Sequence, residues 1–350
     1  MKRMIALMVA LTVLVASLAA IPFGGLAEAS TVTITDMAGR TVEIPSQIER
    51  VACHSSTCEA VLISLGRADL LVGTTDYVNE DSYAYKLFPE LSGVAKLEDD
   101  MSVEEMLQNQ VQLVFVKDEN KIERYEEAGL PVIYLELDTI AGTKEGIKLV
   151  GDIIGVPERA DWCVNYIDQC QSLIEQRLAD AQPQPITTYY ARAKYKESNL
   201  LTTYAASHIY GQWISLCGGE VITRDMELKE TKGGVLLNAE ELIAADPDVI
   251  FVGGYFRNSV YQEALNGEYK DVLSAVANGA VYIVPTSVSD WSVGGCELGL
   301  AMLWCATSLY PDLFADIDMP QEVVDFYANA SGVQVSGELA ESILNSELSE

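Results

Sequence analysis

The sequence predicts an α/β protein: two similar lobes with parallel sheets, joined by a single long rigid helix, with a ligand cleft between them. Three observations carry this. Short apolar runs alternate with helical patterns through most of the chain, and such β-α alternation belongs to parallel sheets covered by helices. A central segment keeps helical spacing for roughly forty residues. Two helix–strand units also echo each other, SVEEMLQNQVQLVFV (102–116) and NAEELIAADPDVIFV (238–252). Each has a cap residue, paired glutamates, a polar turn and an apolar strand. A chain of 350 residues suits two domains of ordinary size.

Taken in order, residues 1–29 read as a signal peptide. Lys2 and Arg3 precede the apolar run MIALMVALTVLVASLAA, and an AEA pattern follows, with cleavage expected before Ser30. The run is marginal for a full span, so an uncleaved anchor is the alternative. No cysteine lies near the cleavage point, so no lipoprotein anchor is expected. TVTITDMAGRTVEIP (31–45) alternates around Ala38-Gly39 and reads as a hairpin. RVACHSS is a strand leaving the core, and TCEAVLISLG is a helix stopped by Gly66. LLVGTTDY, QLVFV and PVIYLEL supply further strands. These make an amino-terminal lobe of residues 30–142. Residues 143–182 form the connecting helical segment, interrupted only at Gly155-Val156-Pro157 and stopped by PQP. Residues 183–350 form the second α/β lobe, from ITTYYARA through DVIFVGGY and VYIVPTSVSDW to a closing helix, CELGLAMLWCATSLY.

The formal net charge is −30. It weighs against nucleic acid and anionic lipid surfaces, which a polyanion repels. Clustered cations therefore stand out. The loops expected beyond the strand ends, where parallel α/β sheets hold ligands, carry Lys117, Arg192, Lys194 and Arg257 beside Tyr77, Tyr204, Tyr255 and Trp291. Aromatic and cationic side chains together suit a large, partly planar, anionic ligand. The seven cysteines of an exported chain suggest disulfides, but the number is odd. Cys163 and Cys170 share a helix face about 10 Å apart and cannot bridge each other. A chain with none bridged is the alternative, and the sequence leaves the pairing open.

These residues resemble a known family. VTITDMAGRTVEIPSQIERVA, TCEAVLISLG, LLVGTTDY, NAEELIAADPDVIFVGG and AVANGAVYIVPTSVSDW, in that order, are similar to the periplasmic binding proteins for iron complexes and cobalamin. Those are the substrate receptors of ABC importers. The resemblance implies an exported monomer, in the periplasm or at the outer face of the cytoplasmic membrane, partnered by permease subunits. It implies no enzymatic activity and no cofactor. The implied ligand is a metal chelate: a ferric siderophore or other iron complex first, a corrinoid or haem as the alternative. An exported tetrapyrrole-handling enzyme and a solute sensor are the readings of another class. By position, the resemblance makes Glu104 and Glu240 the permease-docking glutamates and Trp291 a contact for the ligand's planar face. SVGG after that tryptophan departs from the cobalamin-type pattern.

CHSSTC (53–58) is weighed against this background. Cys53, His54 and Cys58 fit no standard zinc spacing, and the chain has only two histidines. His208 on the opposite lobe could complete a set on closure. A nucleophilic Cys58 at a helix start lacks a visible base. His54 or His208 could instead be an axial contact to the metal of a chelate. The favoured reading makes His54, Ser55 and Ser56 a polar wall that hydrogen-bonds the ligand, with Thr57 capping the following helix.

Overall fold

The alternating apolar positions of TVTIT and TVEIP pair as an antiparallel hairpin of β1 (Thr31–Thr35) and β2 (Thr41–Pro45). Gly39 turns it at a φ of 74°, a conformation only glycine adopts without cost. The computed structural model describes residues 30–346 except 76–77, 79–82, 97–101, 227–228 and 232–233; nothing is said of the side chains of 229–231 and 234. The signal-peptide expectation and Tyr77 lie outside the described residues.

The first lobe follows as β3 (Val51–Cys53), α1 (Ser56–Ser64), β4 (Gly73–Thr74), α2 (Tyr83–Leu87), β5 (Ala95–Lys96), α3 (Val103–Gln108), β6 (Leu113–Val116), α4 (Ile122–Glu126) and β7 (Val132–Tyr134). β3, β6 and β7 form a parallel sheet in the order β3-β6-β7, in which Cys53 faces Phe115 and Phe115 faces Ile133. Both faces are covered. Val51, Leu113 and Phe115 join the central core, while Ala52, Val114 and Val132 pack beneath Met106 of α3 and Tyr125 of α4. This is why the strands read as unbroken apolar runs.

Two helices connect the lobes: α5 (Ile140–Ile153) and α6 (Pro157–Ala181). The first of them starts at Ile140 because Thr139 accepts a hydrogen bond from the Gly142 N–H at 2.9 Å and caps the helix there. Pro157 takes the first position of the 25-residue α6, where its missing N–H costs nothing.

The second lobe runs β8 (Ile186–Arg192), β9 (Thr202–Thr203), α7 (Ile209–Leu216), β10 (Gly219–Val221), β11 (Lys229–Thr231), β12 (Gly234–Leu236), α8 (Ala239–Ala245), β13 (Val249–Gly253), α9 (Arg257–Asn266), α10 (Ser274–Ala277) and β14 (Val281–Ile283). Its parallel sheet has the order β10-β8-β13-β14. The tail is helical: α11 (Leu298–Leu309), α12 (Met319–Ala330) and α13 (Gly337–Leu344).

The tail does more than close the second lobe. The Tyr166 hydroxyl of α6 donates to Glu322 of α12 at 2.8 Å, and the Tyr83 hydroxyl of the first lobe donates to the Ser342 carbonyl of α13 at 2.7 Å. One apolar cluster therefore runs through both lobes, from Val51 and Phe115 through Ile167 to Trp213, Phe251 and Met302. At Gly299 a Cβ would lie 2.7 Å from the Tyr166 ring, so glycine lets α11 lie flat against α6.

All seven cysteines are buried, and none is bridged. The Cys217 thiol donates to the Met302 carbonyl at 3.2 Å.

Candidate ligand-binding cleft

Every strand that reaches the cleft ends there. β3 delivers His54 and Ser55, β6 delivers Lys117 and Asp118, β8 ends on Arg192, β13 runs into Gly254 and Tyr255, and β14 leads into the loop 285–293. The carboxyl ends of both sheets thus converge on one cavity of about 390 Å³, the arrangement expected where open α/β sheets hold ligands.

Of the residues singled out from the sequence, His54, Ser55, Ser56, Lys117, Arg192, Lys194, Tyr204, His208, Tyr255 and Arg257 line the cavity. Trp291 does not. It is 1% exposed, and its Nε1 donates to the Ser287 hydroxyl at 2.7 Å. The indole fills the core behind the cleft wall, so the expected planar-face contact is corrected to a structural role. The cap of α1 is corrected too: the Ser55 hydroxyl accepts from the Thr57 N–H at 3.3 Å, because Ser55 holds the extended backbone that an N-cap needs.

Tyr190 and Asp290 also line the site without having been singled out for it. Asp290 anchors the wall, accepting from the Ser292 N–H at 2.8 Å, the Ser292 hydroxyl at 2.6 Å and the Gly254 N–H. The Tyr190 hydroxyl donates to Ser292 at 2.7 Å. Asp290 stood in the sequence beside Trp291; Tyr190 lay inside an apolar strand, where nothing separates a lining tyrosine from a core one.

The electrostatics are local and cationic. Four fixed cations (Lys117, Arg192, Lys194, Arg257) line the cavity against two carboxylates, Asp118 and Asp290. Arg192 and Arg257 are 5% and 4% exposed, yet Arg192 Nη1 and Arg257 Nε and Nη2 have no hydrogen-bond partner among the described residues. Burial lowers the Arg257 pKa, against the pull of Asp290. Arg192 sits over the Tyr204 ring at 4.2 Å, and Tyr204 stacks on His208 with centroids 4.1 Å apart. Burial depresses His208 to about 4, against the raising effect of Asp138, so its imidazole is neutral at pH 7. Asp138 also accepts from Lys117 Nζ at 2.5 Å, tethering the first lobe's cation.

Burial pushes the Cys58 thiol up to about 12 and the Cys53 thiol well above its ordinary value, so neither is a thiolate at neutral pH. Among the described residues no group of three or more His, Cys, Asp or Glu side chains could hold a metal ion.

Two parallel-sheet lobes, a rigid linking helix and a cleft lined by cationic side chains define a solute-binding receptor. The sequence pattern of the periplasmic binding protein family matches residues 51–288. The chain belongs to that family, the exported substrate receptors of ABC importers, which bind and hand over solutes without transforming them. The molybdate-binding protein MolA of Haemophilus influenzae is 24% identical over 323 residues, covering 84% of this chain and 89% of MolA. Its molybdate-bound structure superposes with a TM-score of 0.73, at 22% identity, covering 87% of this chain and 99% of that one. A periplasmic solute binding protein of Veillonella parvula gives 0.76 at 23% identity, covering 91% and 98%. Helicobacter pylori CeuE with Ni(II) bound gives 0.72 at 19%, covering 89% and 99%. Among the described residues no helix is long and apolar enough to cross a membrane.

Proposed function

We propose that this receptor captures an anionic metal-containing solute, a small metal chelate or metal oxyanion, and delivers it to the permease of an ABC importer. The single observation that carries this is the pair of buried arginines in the cavity wall, of which Arg192 Nη1 and Arg257 Nε and Nη2 have no hydrogen-bond partner among the described residues. A buried unsatisfied charged donor costs stability unless something completes it, and an anion does so. An iron complex with free carboxylates or catecholates meets this requirement. So does the ligand named for MolA. A cavity of about 390 Å³ lies toward the small end of ligand sites, roughly 300–1,000 Å³, and favours a compact anion over an entire corrinoid. The neutral His208 leaves an imidazole nitrogen able to approach the metal of a chelate.

Glu104 and Glu240, exposed at matching positions of the two lobes, are the proposed docking points for basic permease residues. Charge reversal at both should slow import and leave solute affinity intact.

The test is a calorimetric and thermal-shift panel on the exported protein: molybdate, ferric citrate, an anionic ferric siderophore, haem and cobalamin, with an absorption spectrum of protein purified from its host. An anionic metal solute is expected to bind one per chain. Binding of only neutral solutes, or of none of the panel, would refute the ligand class.

A further inference from the structure

Among the described residues, seven large hydrophobic side chains are exposed: Val32, Leu107, Tyr195, Leu236, Ile243, Tyr255 and Val272. Scattered apolar residues on a surface are ordinary. Leu107 and Ile243 are not scattered. In the internal echo, SVEEML and NAEELI align residue for residue, which places Leu107 and Ile243 at the same position of α3 and α8. They are 51% and 42% exposed. Each lies three residues beyond an exposed glutamate, Glu104 or Glu240, and so on the same helix face.

The local geometry repeats as well. Ser102 and Asn238 cap the two helices, and each cap closes a box with the second glutamate of its pair. The Glu105 carboxylate accepts from the Ser102 N–H at 3.0 Å, and that of Glu241 from the Asn238 N–H at 3.2 Å. The boxes occupy Glu105 and Glu241 and leave Glu104 and Glu240 pointing outward. The residue after each box, Met106 or Leu242, is buried and fixes the helix to its lobe. The same three-part unit therefore occurs twice: a buried anchor, an outward carboxylate, and an outward aliphatic side chain.

We infer that Leu107 and Ile243 are apolar anchors of a duplicated docking surface, and that the partner is an importer permease presenting two copies of one patch, a basic residue beside an apolar pocket. This rests on the receptor reading above. The carboxylate alone, fully solvated, would steer encounter and contribute little affinity. An aliphatic side chain buried beside it supplies the holding contact, as central apolar residues do in other interfaces. Repetition on both lobes lets two weak contacts act together.

The test uses the full mature chain and the importer complex of its own organism in lipid nanodiscs, with binding followed by biolayer interferometry. Leu107→Ser and Ile243→Ser should each weaken binding by about tenfold through faster dissociation. The double variant should weaken it further. Val272→Ser, at an equally exposed site elsewhere, serves as the control and should bind as wild type. Melting temperatures within a degree or so of wild type would show that the variants fold, as surface changes normally do. If Glu104→Gln and Glu240→Gln weaken docking while the two serine variants do not, the apolar anchors are refuted and the receptor reading stands. If the wild-type chain does not bind the importer, both fall.

Discussion

Replacing Arg257 with methionine should weaken solute binding and raise the stability of the empty protein, two effects of opposite sign. Arg257 enters the cleft from the first turn of α9 and keeps one internal bond, Nη1 to the Gly254 carbonyl at 3.2 Å. Its Nε and Nη2 have no partner among the described residues. A hydrogen bond from a charged donor is worth about 1.5–3 kcal/mol. Two such bonds to an anion make about 3–6 kcal/mol, which is a loss of roughly 10²- to 10⁴-fold in affinity. In the empty protein the balance reverses. Methionine keeps much of the volume while removing a desolvated charge that nothing completes. Relief of about 1–3 kcal/mol for each of the two uncompleted donors, about 2–6 kcal/mol together, less about 1.5–3 kcal/mol for the lost Gly254 bond, centres on a net gain of about 2 kcal/mol. In a chain of this size that raises Tm by about 2–4 °C. Differential scanning fluorimetry without solute and calorimetry with the bound member of the panel measure both. A fall in Tm with affinity unchanged within about twofold would refute the argument, because it would make Arg257 a structural side chain.

Three further outcomes follow from the same geometry. His208 is held near 4 by burial, below its unfolded value of about 6.5. The unfolded chain therefore binds the extra proton first, and stability should fall as pH drops from about 6.5 to about 4, by up to about 3 kcal/mol. His208→Gln should flatten that slope in urea titrations, and an imidazole resonance titrating above pH 6 would contradict it. All seven cysteines are buried thiols, so a chromogenic disulfide reagent should find almost none in the native protein and seven in denaturant; a lower denatured count would mean bridges. Trp291→Phe removes the bond to Ser287 and should lower stability by about 1–3 kcal/mol with solute affinity unchanged, whereas a loss of affinity would put the indole back in the binding surface.

The lobes, the linking helix and most of the cleft wall were legible in the sequence because each rests on a local signal. Apolar strand runs, caps such as Ser102 and Asn238, and Pro157 at a helix start are set within a few residues. The strand-end rule then carried loops such as 192–194 and 253–257 to the cavity. What stayed hidden depends on long-range packing. Trp291 follows Asp290 in one loop, yet one side chain turns into the core and the other into the cavity wall, and only the Ser287 hydroxyl 2.7 Å from the indole explains which. The tail was hidden for the same reason. Nothing in SILNS indicates that the Ser342 carbonyl meets Tyr83 of the first lobe.

That tail limits how the cleft can work. Glu297, buried at the start of α11, accepts from the Ser64 hydroxyl of the first lobe at 3.0 Å, from Tyr327 of α12 at 3.1 Å and from Ser287 of the cleft loop at 3.4 Å. Burial raises its pKa and the hydrogen bonds it accepts pull the other way, so the buried carboxyl depends on these partners from both lobes. A wide hinge opening would break this cluster, the Tyr83–Ser342 bond and the apolar cluster running through both lobes together. Small displacements of the loops 192–194 and 253–257 break none of them. Under the proposed function, solute capture therefore rests on a cavity with little need of lobe travel, and selectivity on the fixed placement of Arg192 and Arg257.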